Sequence, residues 1–485
     1  MRQGQLSAIW VKTPRVGRLA RTICSLVLAQ SVSGCFLGPD KVELGLDIPE
    51  AYRAAQGKPD AAVPALDWWR SFRSRELTLL MEEAQTANFD VAAAAARILQ
   101  ADANARIVNA ALLPNIGLND SATRTKAAVT GTNLGGNSVR SIYNLSFNAS
   151  YVIDFWGKNR AALAAAEQTA IASRFDREVI TLTALASVGN AYLQVLAAQD
   201  RLRIARSNIQ AATRILTLIK ERAAAGTASN LEVSQQESLA ATQRASIPPL
   251  EITLRQSTSQ LAVLVGRMPE RFALGGGGLN RITVPRVTPG LPAELLNQRP
   301  DIREAEAKLA ATNYSVEAAR AAFFPNIALT GTTGWQSAAL ASLFGPGAWF
   351  YTMAATLTQP IFDGGVLFGQ LDLQQALREE ALQNYRKVVH SAFSDVEQAL
   401  VGLQQQTIRE RLQTDVVRTS RLAFNISEER LRGGTLDLVT LIQTQQTLFA
   451  AEDLLAQIRL ARLLAAVSLY QALGGGWPPA DGPPA

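Results

Sequence analysis

Leu113-Pro114-Asn115-Ile116 returns as Phe324-Pro325-Asn326-Ile327, Phe155-Trp156-Gly157 returns as Phe362-Asp363-Gly364, and Arg222 followed by Gly226-Thr227 returns as Arg430 followed by Gly434-Thr435. An offset of 207 to 211 residues held through three landmarks marks an internal duplication. Each copy has the same internal order: a short helical segment, a Pro-Asn turn, two strand-like runs, then two long helical runs meeting at a Gly-Thr turn. Strands and very long helices in one repeat are reconciled by a tube that crosses a membrane and continues beyond it.

The strand signal is clearest where Tyr143, Leu145, Phe147, Ala149, Tyr151 and Ile153 alternate with Asn144, Ser146, Asn148 and Ser150. The second copy alternates through Ile327, Leu329, Gly331, Thr333 and Trp335, then through Trp349, Tyr351, Met353, Ala355 and Leu357. The run after Pro114 is less regular, being interrupted by Asp120 and Arg124. Gly- and Asn-rich links at 130–138 and 344–347 join the paired strands. Pro114, Pro325 and Pro360 mark strand–helix turns, because proline removes a backbone donor and pushes the preceding residue out of the helical region.

No proline lies between Pro114 and Pro248 or between Pro360 and Pro478. Residues 158–225 and 366–432 therefore read as single helices of roughly 100 Å each at about 1.5 Å per residue, far beyond globular lengths. Tyr385, Val389, Phe393, Val396, Leu400 and Leu403 step by three or four, as a coiled-coil seam does. Gln404, Gln405, Gln445 and Gln446 lie among the apolar steps, which puts one side of these helices in water. Gly226 and Gly434 close the long helices, and the returning helices start near Asn230 and Leu436. A break near Ala87-Asn88 divides the preceding helical segment.

Four strands cannot span a bilayer alone, since every backbone N–H and C=O must be paired in hydrocarbon and an open sheet has edges. Membrane barrels need at least about eight strands. Strands must therefore be borrowed from identical copies: two copies would give a narrow, plugged barrel of about eight strands, and three about twelve, wide enough to leave a water path.

The chain carries a formal charge of +6. Arg2, Lys12, Arg15, Arg18 and Arg21 open the sequence with no acid before residue 35, and removing those five leaves +1, so nucleic-acid binding has no electrostatic footing. The basic start, the apolar stretch 23–29 and Val32-Ser33-Gly34-Cys35 form an export signal too short to span as a helix. Its end resembles a bacterial lipobox, which implies that Cys35 carries a lipid and becomes the new N-terminus. Phe36 follows, with no Asp in that position, which by the same resemblance points to the outer membrane. With Cys24 discarded, the mature chain keeps one cysteine and forms no intrachain disulfide or Cys-based zinc site.

Enzyme chemistry finds little support. His390 is the only histidine, so a His-Glu-x-x-His zinc helix is impossible. A Ser-His-Asp triad has one unsupported candidate. Gly157-Lys158 lacks the upstream glycine of a phosphate loop, and Gly275 to Gly278 reads as a linker. No cofactor or metal is expected beyond the covalent lipid.

Ala293-Glu294-Leu295-Leu296, Arg299-Pro300-Asp301-Ile302-Arg303 and Glu304-Ala305-Glu306 resemble the motif that starts the second repeat of TolC-type outer-membrane efflux ducts. Cys35, Gly38-Pro39-Asp40, Pro49 and Tyr52 resemble the N-terminus of that family's lipoprotein branch, with Lys41 where an aromatic is usual. The resemblance implies a homotrimer with a twelve-stranded barrel and a long periplasmic α-helical barrel. It also implies a periplasmic adaptor, an inner-membrane pump of the RND type, and passive transport out of a Gram-negative cell. Family members narrow the periplasmic entrance with acidic residues. Here the turn after Gly434 holds Asp437, while Thr440 and Gln443 occupy the positions further along. Glu232 lies at the equivalent turn of the first repeat, where adaptor contact and pore lining are both open.

The expected layout is an export signal at 1–34, a lipidated tether at 35–65 and a first repeat at 66–265 with strands at about 115–154. An equatorial linker at 266–290, a second repeat at 291–474 with strands at about 326–361, and a tail at 475–485 follow. The rival reading is a lipid-anchored periplasmic coiled-coil adaptor or scaffold, which would share the hairpins and lack membrane strands.

Overall fold

The two long helices, which the proline-free runs predict, are the frame of the molecule. The computed structural model describes residues 44–46, 48–49, 51–54, 65–126, 139–285, 290 and 292–475. The expected export signal, Cys35, the 130–138 link and residues 476–485 lie outside them.

A 3-10 turn at Trp68–Phe72 precedes α1 (Arg75–Ala87) and α2 (Phe89–Asn109). Asn88 separates these helices and caps the second, its side-chain oxygen accepting from the Asp90 and Val91 amides at 2.8 and 3.2 Å. Strands β1 (Asn115–Lys126) and β2 (Val139–Ile153) lead into α3 (Lys158–Ala224), α4 (Asn230–Ala245) and α5 (Ile247–Leu264). The second half adds α6 (Pro292–Gln298), α7 (Pro300–Ala321), β3 (Asn326–Ser337), β4 (Trp349–Thr358), α8 (Val366–Arg432) and α9 (Leu438–Ala472). Helices α3 and α8 have the same length, 67 residues. The return legs differ. Helix α9 runs unbroken for 35 residues, whereas α4 and α5 are divided at Ser246. Pro248 and Pro249 sit in the first turn of α5, where their missing N–H groups would have had no helical partner anyway.

The four strands form one antiparallel sheet in the order β1-β2-β3-β4. Its central pairing joins the two repeats, with Tyr143 opposite Ser337 and Ile153 opposite Ile327. Among the described residues β1 and β4 are hydrogen-bonded on one side only.

Helix α3 carries an apolar window long enough to cross a membrane, yet 56% of that window is buried inside the protein. It is the hub of the first core cluster, where Leu193 and Leu196 meet Trp68, Phe72, Leu261 and Tyr470. Trp68 stacks on Tyr470 with ring centroids 5.0 Å apart. Small residues set the spacing: a Cβ on Gly189 would stand 3.1 Å from Met81 Cε. A second cluster gathers Leu295, Ile302, Val389, Val396 and Leu469, and Tyr52 of the N-terminal segment packs into it. A third joins the two helical hairpins near their turns, with Ile215 and Ile219 of α3 beside Leu438 and Leu441 of α9. The Gly275 to Gly278 stretch, read as a linker, is tied to the frame: the Gly275 amide donates to Glu76 and the Gly277 amide to Gln199.

Arg299 explains the specificity of its motif. It donates to both carboxylate oxygens of Asp301 (3.0 and 2.7 Å), to Asp395 of α8 (3.2 Å) and to the Ala472 carbonyl at the end of α9 (3.0 Å). Burial works against its charge, but the bonds and charges of Asp301 and Asp395 outweigh that and raise its pKa. Pro300 and Asp301 occupy the first turn of α7, as helix-start preferences predict.

Gly334 tests the pairing between repeats. A Cβ there would lie 2.2 Å from the Leu145 carbonyl oxygen, while one on Gly331 would meet nothing within 4 Å. Gly334→Val is expected to abolish the folded sheet, seen as lost strand circular dichroism in detergent, and Gly331→Val to be tolerated. Equal tolerance of both would contradict this register.

Candidate functional site

Alternation along each strand becomes a two-faced sheet once the register is applied. Ile116 lies opposite Ala149, Leu118 opposite Phe147, Tyr151 opposite Leu329, and Ile327 opposite Leu357. Side chains of directly paired residues share a face, so these build one apolar surface, completed by Met353 and by Trp335 opposite Trp349. Met353 is 83% exposed and Leu357 67%. An exposed apolar surface of this extent marks a face that meets lipid or another protein. The opposite face is polar. There Asn148 pairs with Thr332, whose hydroxyl donates to the Asn148 side-chain oxygen Oδ1 at 2.9 Å, and Ser150 pairs with Thr330. Asp120 stands on the apolar face opposite Leu145, the one acid in that surface.

Aromatic residues collect at both ends of the sheet. Phe155, Phe362 and Phe368 are exposed where the strands enter the long helices, and Trp349 and Tyr351 are exposed at the far end. That placement suits a headgroup girdle. Trp156 packs inward instead, stacked on Phe324 at 4.6 Å and donating from its indole to the Pro325 carbonyl at 2.9 Å. This bond ties the first repeat's strand–helix turn to the second repeat's. Pro114 and Pro325 immediately precede β1 and β3, and Pro360 follows β4.

Both long helices begin beneath a carboxylate. Asp154 accepts from the Asn159 and Arg160 amides at 3.0 and 2.9 Å, and Asp363 accepts from Gly365 and Leu367 at 2.9 and 2.8 Å. These bonds, that from Leu367 foremost, hold the Asp363 carboxyl below the usual carboxylate range. A cleft of about 860 Å³ opens at this junction, lined by Tyr151, Trp156, Phe324, Thr358 and Gln370 among others. Its one acidic lining residue is Asp154, already engaged in capping. His390 is exposed on α8.

At the other end, Gly226 and Gly434 take φ of +77° and +73°. The Thr227 amide reaches the Arg222 carbonyl and the Gly226 amide reaches Ala223; Thr435 and Gly434 repeat this on Arg430 and Leu431. Both ends are Schellman motifs, which satisfy helix carbonyls that would otherwise be orphaned.

The two acids nominated at the tip are helix caps. Glu232 forms a capping box with Ser229, accepting from the Ser229 amide at 2.6 Å. Asp437 accepts from the Thr440 amide at 2.9 Å and the Thr440 hydroxyl at 2.7 Å. The Thr440 bonds hold the Asp437 carboxyl below its usual range. The spacings Ser229-x-x-Glu232 and Asp437-x-x-Thr440 are cap signals legible in sequence. A functional contact missed there is Arg222, whose guanidinium donates to the Leu431 and Arg432 carbonyls of the other hairpin at 2.6 and 3.1 Å.

The family model described as outer membrane efflux protein matches residues 80–267 and again 291–475. The pyoverdine export outer membrane protein OpmQ of Pseudomonas aeruginosa is 38% identical over 461 residues, which cover 93% of this chain and 96% of that protein. The protein of the same name from Pseudomonas putida is 37% identical over 470 residues, covering 96% and 99%. The outer-membrane channel OprN superposes with a TM-score of 0.85 at 27% identity, covering 91% of this chain and 100% of that one.

Asp437→Ala is expected to speed hydrogen exchange of the Thr440 amide, and Asp437→Asn, which keeps a capping oxygen, to leave it near wild type. Because the folded carboxyl titrates below its ordinary value, the charge's contribution to the cap is fully present above the ordinary Asp range and is lost as pH falls through the lowered value, leaving the neutral-oxygen bond that Asn also makes. A Thr440 protection factor, taken relative to the intrinsic exchange rate at each pH, that is flat across acidic pH would remove the charge from the cap.

Proposed function

The chain belongs to the outer membrane efflux protein family, and from that membership we propose that three copies close their sheets into one twelve-stranded barrel continued by a helical cylinder in the periplasm. It is an outer-membrane efflux channel component. One observation carries the barrel: a two-faced sheet with an exposed apolar surface and two unpaired edges, β1 and β4. Pairing β4 of one copy with β1 of the next removes every edge, which hydrocarbon requires. The polar face then lines water, and the 67-residue helices carry the lumen on for about 100 Å.

Transport through this component is passive, and the cargo is set by the pump. The two relatives are named for pyoverdine export; for this chain the same role of duct is proposed. A periplasmic adaptor meets the turns around Gly226 and Gly434, and beyond it stands an inner-membrane pump, with the RND class as the expectation from the resemblance. Crosslinking in cells and identification of the co-purified pump tests that class. The rival coiled-coil adaptor has no use for four paired strands with an apolar face. Cys35 carries the lipid anchor in this reading; Cys35→Ala should fold normally and lose palmitate labelling, and persistent labelling would refute the anchor.

Met353→Arg places a charge on the outer face at the middle of β4 and is expected to cost about 2 to 4 kcal/mol of insertion. The measurement is the yield of trimer in the outer-membrane fraction on unheated electrophoresis. Wild-type yield would contradict the lipid-facing assignment. Asp437→Asn, with its cap intact, isolates the charge: a shifted reversal potential in planar bilayers places that carboxylate beside the ion path, and an unchanged one removes it.

A further inference from the structure

Arg222 and Arg430 occupy the same place in two copies of one motif. Each lends its backbone carbonyl to the Thr amide and hydroxyl of its Schellman turn, Thr227 in the first case and Thr435 in the second. Their side chains differ in fate. Arg222 crosses to the second hairpin and donates to the Leu431 and Arg432 carbonyls. Arg430 is exposed, and its guanidinium meets no partner among the described residues.

The offset at this turn is a constant 208 residues. Subtracting it from Leu431 and Arg432 gives Ala223 and Ala224, the last residues of α3. In a ring of three copies, hairpins of the first and second repeats alternate, so each second-repeat hairpin faces the first-repeat hairpin of the next copy. We infer that Arg430 is the intersubunit clasp of the periplasmic tip, its guanidinium donating to the Ala223 and Ala224 carbonyls of a second copy of this chain. This rests on the ring reading above and specifies the contact that closes it.

An apolar neighbour supports the same face. Leu218, one turn before Arg222, packs against the cluster that joins the two hairpins. Its counterpart Ile426, one turn before Arg430, is 44% exposed. An unburied Ile directly below an unpaired Arg is the half-interface left when the partner copy is missing. The Ala224 carbonyl also ends a helix, where a cation is favoured by the helix dipole. One element is not copied. The Arg214 to Glu428 ion pair, at 3.8 Å, would map onto Leu422 and Lys220, so the intersubunit clasp lacks it.

Proximity is tested by pairing Arg430→Cys with Ala224→Cys in the full-length protein in outer membranes. An arginine side chain spans more than a disulfide tolerates, so a short bis-maleimide is used, with each single-cysteine variant as control. Arg222→Cys with Arg432→Cys is the intrachain reference, expected to react without changing the chain count. The Arg430/Ala224 pair is expected to give covalent dimers and trimers on denaturing electrophoresis. If unheated gels show the trimer and the reference pair reacts, but no ladder forms, the clasp is overturned while the ring stands. Loss of the trimer band in the unmodified protein overturns both. As a second readout, Arg430→Ala is expected to lower the temperature at which the wild-type trimer band disappears, with Arg430→Lys restoring part of the loss; an unchanged temperature for Arg430→Ala argues against the bond.

Discussion

A backbone amide that enters hydrocarbon must take its hydrogen-bond partner with it, and in the proposed trimer this chain supplies one third of the strands of a closed ring. Four strands satisfy three ladders and leave the outer sides of β1 and β4 open. The other features follow from that shortage: the apolar outer face, the polar inner face, and the need for a second and third copy. In that proposed ring, insertion, assembly and formation of a water path are coupled, because the sheet edges are satisfied only on closure.

The helical part answers a different demand. A cylinder wide enough to conduct has no central core, so stability must come from thin seams between neighbouring helices. Alanine and glycine along α3 allow close approach; its residues enter one apolar cluster near α1 and another beside the Gly226 and Gly434 turns, while a separate cluster joins α7 to α8 and α9. Between them, charged pairs act as spacers, such as Arg201 with Asp453 and Glu410 with Arg459 and Arg462. Most are partly exposed, and such pairs set register more than they add stability. Arg299 differs, being largely shielded and bound to two carboxylates and a helix-terminal carbonyl. It fixes the start of α7 against α8 and the end of α9.

Duplication shapes function at the tip. Two turns with the same backbone hydrogen bonds hold two arginines in the same pose, yet one finds its acceptors within the chain and the other faces outward. The caps use Asp437 and Glu232 structurally, so acidity at these turns is coupled to helix stability. Removing charge there without removing the cap calls for amide substitutions, since truncation changes both.

Much was legible in the residues because periodicity is a local property. The strict alternation at 143–153, the proline-free runs and the Gly-Thr turns follow from the conformational preferences of each residue, and the described strands and helices lie where those patterns are. The repeat spacing likewise required no contacts, only the order of landmarks. What chain-local rules leave open is which groups meet across hundreds of residues. Nothing near Arg222 announces that its partners are two carbonyls at the end of the other repeat's helix, and nothing near Trp156 announces the Pro325 carbonyl. Alternation declares that a strand has two faces; only the register of β2 on β3 decides that the apolar faces of both repeats fall on the same side, because that depends on a pairing no single strand contains.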